Sequence, residues 1–180
     1  MKRPIRSLVA TAGWLVLAAC QAGGAVNPAI GTTASSEVRF TPPACDYSVA
    51  FPSRPEVARA NDSEQYIALL SQGTGAGRSV YYAECLAESG IGPNRAAQLL
   101  ASLLRAEGVE SANAADFSTE AGSGWTATGS TLIDGVAFRH EFVLVAGPQS
   151  ALVLGISGAT QTFPPEGRDD FLGSIARQGG

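Results

Sequence analysis

Lysine is all but missing from this chain. Lys2 is the only one in 180 residues, and every other basic residue is arginine. Twelve basic residues face sixteen acidic ones, so the chain lacks the basic footprint of a protein that binds duplex nucleic acid or phosphate. Histidine is as scarce, with His140 alone. A zinc site needs several nitrogen or sulfur ligands together, and Glu141 points to the strand face opposite His140, so no metal site is expected. Gly-x-Ser-x-Gly, the sharp turn that presents a nucleophile, does not occur, and Gly155-Ile156-Ser157-Gly158 lacks the last spacing. Gly73–Ser79 fails the phosphate-loop spacing and carries Arg78 where that motif has lysine. Glu166, Asp169 and Asp170 lack the alternating ligands of a calcium loop. These absences predict no catalytic constellation and no cofactor. His140 is expected to be a hydrogen-bonded core or rim residue. A hydrolase pairing it with Ser157 or Ser130 ranks last, and requires a contact of roughly 3 Å.

What is present begins with a start that reads as an export signal. Lys2, Arg3 and Arg6 form a basic segment, and residues 7–19 are almost wholly apolar. Thirteen residues are too few to span a bilayer as a helix, so this is a signal peptide's core. Its end, Leu17-Ala18-Ala19-Cys20, resembles the lipobox of bacterial lipoproteins. The resemblance implies diacylglycerol on the Cys20 thiol, cleavage before it, and acylation of the new N-terminus. Three acyl chains hold a protein to a membrane stably, where a single one is marginal. Gln21 stands where aspartate would retain a lipoprotein in the inner membrane. The expected location is therefore the periplasmic face of the outer membrane, with the outer leaflet of the inner membrane as the alternative.

Removing residues 1–19 leaves 161, with nine arginines against the sixteen acids, enough for one domain with its own core. Such a surface is repelled by anionic headgroups, so the membrane is a partner only through the lipid. Residues 20–41, rich in Ala, Gly, Thr and Ser, read as a flexible tether, and residues 42–178 as a single folded domain. Cys45 and Cys85 remain. Export places them where disulfides persist, which favours a bridge closing a loop of about 40 residues. Two separate buried thiols are the alternative.

Within the domain, Cys45, Tyr47, Val49 and Phe51 alternate as a strand that Pro52 and Pro55 end. Residues 63–71 and 79–86 read as two strands around the glycine-rich break at 73–77. Gly92-Pro93, then Ala96, Leu99, Leu100, Leu103 and Leu104 at helical spacing, then Gly108, predict a helix. Residues 125–133 and 136–146 flank Asp134-Gly135, a strong hairpin signal. The turn at 147–150 leads to a third strand at 151–157, and residues 169–177 predict a closing helix with Phe171, Leu172 and Ile175 inward. Trp125, Tyr81 and Tyr82 are candidates for a groove, though aromatics on strands are more often core.

The opening Tyr47-x-Val49-x-Phe51-Pro52, the central helix, the hairpin through Asp134-Gly135-Val136 and the closing Phe171-Leu172-x-Ser174-Ile175 resemble the PsbP/DcrB-like superfamily over residues 44–177. The resemblance implies an α+β fold, an antiparallel β-sheet with helices packed on its faces as an α/β/α sandwich. It also implies a non-enzymatic accessory protein that binds another envelope protein. No family site residue carries over. A carrier of a small hydrophobic ligand or lipid, using a pocket between sheet and helix, is the second expectation.

Overall fold

The computed structural model describes residues 38–59, 66–74, 77–110 and 112–178. Cys20 and residues 1–19, expected as a signal peptide, lie outside the described residues. Among them the order is β1 (Val38–Phe40), β2 (Tyr47–Phe51), β3 (Glu56–Arg59), β4 (Tyr66–Gln72), β5 (Ser79–Leu86), α1 (Pro93–Ala106), β6 (Asn113–Thr119), β7 (Gly122–Ile133), β8 (Val136–Ala146), β9 (Ala151–Ala159), α2 (Arg168–Gly173) and β10 (Ala176–Arg177). Seven strands form one sheet in the order β3-β4-β5-β9-β8-β7-β6, and β1, β2 and β10 form a second. Every pairing is antiparallel.

Alternation along the long strands sends side chains to two cores. Ala127, Phe142, Leu144, Ala151 and Val153 meet Ala96, Leu100 and Leu104 of α1 on one face. Tyr81, Ala83, Val143, Val145, Leu152, Leu154 and Ile156 meet the small sheet and α2 on the other, through Tyr47, Val49, Phe51, Phe171 and Leu172. The turn at Asp134-Gly135 has positive φ at both residues, 50° and 79°, the geometry that matches the twist of a two-residue hairpin.

The α/β/α sandwich is corrected by this arrangement. The chain is mostly strand, and helices do not cover both faces of the sheet: α1 lies on one, while the small sheet occupies the other with the six-residue α2 beside it. The closing helix stops at Gly173 instead of running to 177. Ser174 turns its hydroxyl onto the Phe171 and Ala50 carbonyls, and the chain then extends so that Ala176 and Arg177 pair with Ser48 and Tyr47. Two edge strands add to the β content. β3 and β6 lie at the edges of the large sheet, where neither is driven by an alternating apolar pattern. β1 pairs with β2 at Val38–Phe40, inside the stretch expected as tether.

Cys45 and Cys85 form a disulfide with Cα atoms 6.0 Å apart, 40 residues apart in sequence. Beside it, the Asp46 carboxylate accepts the Gln149 and Ser150 amides at 2.7 and 2.8 Å, and the Asp46 amide donates to the Ser150 hydroxyl at 2.7 Å. Burial opposes the charge on Asp46, yet these hydrogen bonds prevail and hold its carboxyl below the usual range. On the same side, the carboxylate of Glu141 on β8 accepts from Arg168 Nε at 2.9 Å and Nη2 at 2.6 Å. This pair fixes the start of α2 to the sheet.

Candidate functional site

His140 sits on the α1 side of β8 and is 2% exposed. Strand register brings its neighbours. β9 places Ser157 directly opposite, and β7 places Gly129 opposite on the other flank. The Ser157 hydroxyl lies 2.8 Å from Nδ1, and the Thr131 hydroxyl, diagonal on β7, lies 2.8 Å from Nε2. In a neutral imidazole one nitrogen donates and the other accepts, and the two hydroxyls rotate to match. Glu107, capping the C-terminal end of α1, brings Oε2 to 4.0 Å from Nδ1. Burial lowers the His140 pKa and raises that of the Glu107 carboxyl, so each disfavours charge on this face.

The helix end can approach this closely because residue 129 has no side chain. A Cβ there would stand 2.3 Å from Val109 Cγ1. Val109, 4% exposed, packs over that gap. Farther along the sheet, the Tyr82 hydroxyl donates to the Glu84 carboxylate, and burial together with that charge raises the phenol's pKa well above its ordinary value.

As chemistry, the cluster meets one condition for a Ser–His nucleophile and fails the next. Ser157 and His140 are in contact, but in triad logic the acid orients the ring through the nitrogen that the nucleophile does not use. Here Nε2 is taken by Thr131, and Glu107 approaches the nitrogen that Ser157 already occupies. Ser130 pairs with Arg139 and falls on the opposite face, away from His140. Tyr81 and Tyr82 also diverge. Tyr81 is fully buried, its hydroxyl bound to the Glu166 carbonyl at 2.5 Å, while Tyr82 and Trp125 pack on the α1 side. Glu166, Asp169 and Asp170 do not converge on a cation site; Asp169 receives Arg168 instead, and no metal-competent group of side chains occurs among the described residues.

Thr131, Glu107 and the Glu141–Arg168 pair carry no sequence motif. Thr131 comes with the β7–β8 register, and Glu107 enters only through packing of the α1 end against His140.

An open cleft of about 460 Å³ adjoins the cluster, where the loop after α1 faces the end of β7. Glu107, Val109, Glu110, Thr131, Leu132 and Ile133 line it. Leu132 and Ile133 are 77% and 44% exposed.

No protein-family model matches the chain, and no curated protein matches it. Among solved structures it is similar to a protein of Bacteroides thetaiotaomicron VPI-5482, at 7% identity and a TM-score of 0.53, covering 81% of this chain. This chain spans only 50% of that protein's length. At that identity the likeness is one of fold alone. LpqN, described as involved in cell envelope biogenesis of Mycobacterium tuberculosis, aligns at 11% identity over 82% of this chain and 87% of its own, with a TM-score of 0.36. That score carries no argument about function.

Proposed function

We infer that the chain is an exported, lipid-anchored lipoprotein whose folded body binds another envelope protein and has no catalytic role of its own. The observation that carries this reading is the Cys45–Cys85 disulfide, because bridges of this kind persist in oxidising compartments such as the periplasm. It agrees with the export signal and with Cys20 as the lipidated residue. Gln21 favours the outer membrane, with the body on its periplasmic face. Among the described residues no helix is long and apolar enough to cross a membrane. The cleft beside His140 carries two glutamates on its walls, a poor lining for an acyl chain, which weighs against the lipid carrier.

Envelope fractionation tests the anchor. Wild-type protein should sediment with membranes, and Cys20→Ala should move to the soluble periplasmic fraction. Unchanged sedimentation of the variant overturns the lipid anchor. The hydrolase reading has the 2.8 Å Ser157–His140 contact in its favour. Turnover of p-nitrophenyl esters that disappears in Ser157→Ala would establish it and remove the non-catalytic reading.

A further inference from the structure

The large sheet ends differently at its two edges. β3 is four residues long, follows Pro55, and carries Glu56 and Arg59; short length, proline and charge are the usual protections of an exposed edge. The other edge is broken. β6 pairs with β7 only from Asn113↔Thr128 to Thr119↔Gly122, while β7 continues to Ile133 against β8. Among the described residues, 129–133 therefore have a strand on one side and none on the other. No backbone hydrogen bond from another described residue reaches their outer edge. The cause lies in the loop after α1. Val109 is seated over Gly129, so the chain reaches the edge only at Asn113, too late to cover the end of β7.

The cleft is this gap. One wall is the open end of β7, with Thr131 and Ile133 toward α1 and Ser130 and Leu132 toward the other face. The second wall is the loop bearing Glu107 and Glu110. The C-terminal end of α1 adds its negative dipole, and no basic residue lines the space. Thr131 is held by its bond to His140, which keeps that wall fixed.

We propose that this gap receives an extended segment of a partner protein, added antiparallel to residues 129–133 in the place β6 leaves empty. Its arginine or lysine side chains face Glu107 and Glu110, and its apolar side chains alternate with them against Leu132. Strand addition draws affinity from main-chain bonds and specificity from alternate side chains. The proposal rests on the protein-binding reading above and names its surface. A five-residue contact falls well below the roughly 1,600 Å² of a standard stable interface, so it is a transient one.

The test uses the full chain in detergent micelles and three fluorescein-labelled heptapeptides: Thr-Val-Arg-Val-Arg-Val-Thr, its counterpart with both arginines as glutamate, and its counterpart with the central valine as proline. Fluorescence anisotropy should show micromolar binding of the first, and binding at least about tenfold weaker for each of the others, since one reverses the charge and the other removes a main-chain donor. Glu110→Arg, at an exposed loop position, and Leu132→Ser should each weaken the first peptide. Hydrogen exchange should slow at residues 129–133 when it is bound. Equal binding of the acidic peptide, indifference to Glu110→Arg, protection at β3 instead, or no binding at about 1 mM each overturns the proposal. None of these outcomes depends on Cys20. A native partner that the basic peptide fails to displace leaves the protein-binding reading intact and removes this site.

Discussion

Replacing Arg168 with alanine strips Glu141 of its guanidinium partner while leaving the carboxylate where it is. The Glu141 side chain is 7% exposed and that of Arg168 28%, so the acid is buried and the base reaches water. Removing one member of a buried pair costs about 3–5 kcal/mol, because the other is left uncompensated. Partial exposure of Arg168 puts the expected value at the lower end, about 3 kcal/mol. With a urea slope of about 2 kcal/mol per molar, the midpoint should fall by about 1.5 M with the slope unchanged. The double variant Arg168→Leu, Glu141→Leu removes both charges and should recover most of the loss, because a buried ion pair is seldom more stable than an apolar replacement. Urea titrations of the three proteins, followed by tryptophan fluorescence, measure this directly. A midpoint shift under about 0.5 M for Arg168→Ala, or a double variant no better than the single one, refutes the claim that the pair acts through an uncompensated buried charge.

Three further outcomes follow from the same contacts. Changing both Cys45 and Cys85 to serine opens a 40-residue loop and should cost about 4 kcal/mol in the chain-entropy account; a loss under about 1 kcal/mol in urea counts against it. Gly129→Ala drives a methyl group into Val109 and should cost about 1–3 kcal/mol, a loss that thermal unfolding should show shrinking in a Val109→Ala background. Burial holds the folded-state pKa of His140 below 6.5, so the unfolded chain takes up the proton first. The stability His140 contributes is whole above pH 6.5 and is lost as pH falls through the folded-state value. The groups facing the ring are Glu107, Thr131 and Ser157. Glu107 has a raised pKa and acts in the opposite sense, losing stability as pH rises through its own folded-state value. The difference in unfolding free energy between wild type and His140→Gln should therefore fall between about pH 7 and pH 5.5, and a pH-independent difference contradicts the reading.

The central elements were legible because each carries its own local signal. Val136–Ala146 and Ser79–Leu86 match their patterns residue for residue, and α1 begins at Pro93 and ends just short of Gly108. β3 and β6 were not legible. An edge strand is half solvated and takes its order from one neighbour, so Asn113–Thr119 shows no alternation to read. The closing helix was misjudged for a related reason: Phe171, Leu172 and Ile175 fit a helical face, but pairing of Ala176 with Ser48 is a tertiary choice with no local mark. Part of the site was within reach. The two-residue turn at Asp134-Gly135 sets Gly129 opposite His140, and the turn at 147–150 sets Ser157 opposite it, by counting alone. The same count sets Thr131 on the diagonal from His140. Glu107 depends on how the loop after α1 settles over Gly129, which no pattern in the chain announces.

The small sheet determines how the body bears a pull from its leading end. A load applied at Val38 meets first the three-residue pairing of β1 with β2, which can peel one bond at a time. Seven residues on, at Cys45, the load path becomes covalent and passes into β5, a strand held by β4 and β9 on its two sides. Tugging on that end should thus unzip the short β1 pairing and then stall against the middle of the large sheet, leaving the His140 cleft undisturbed.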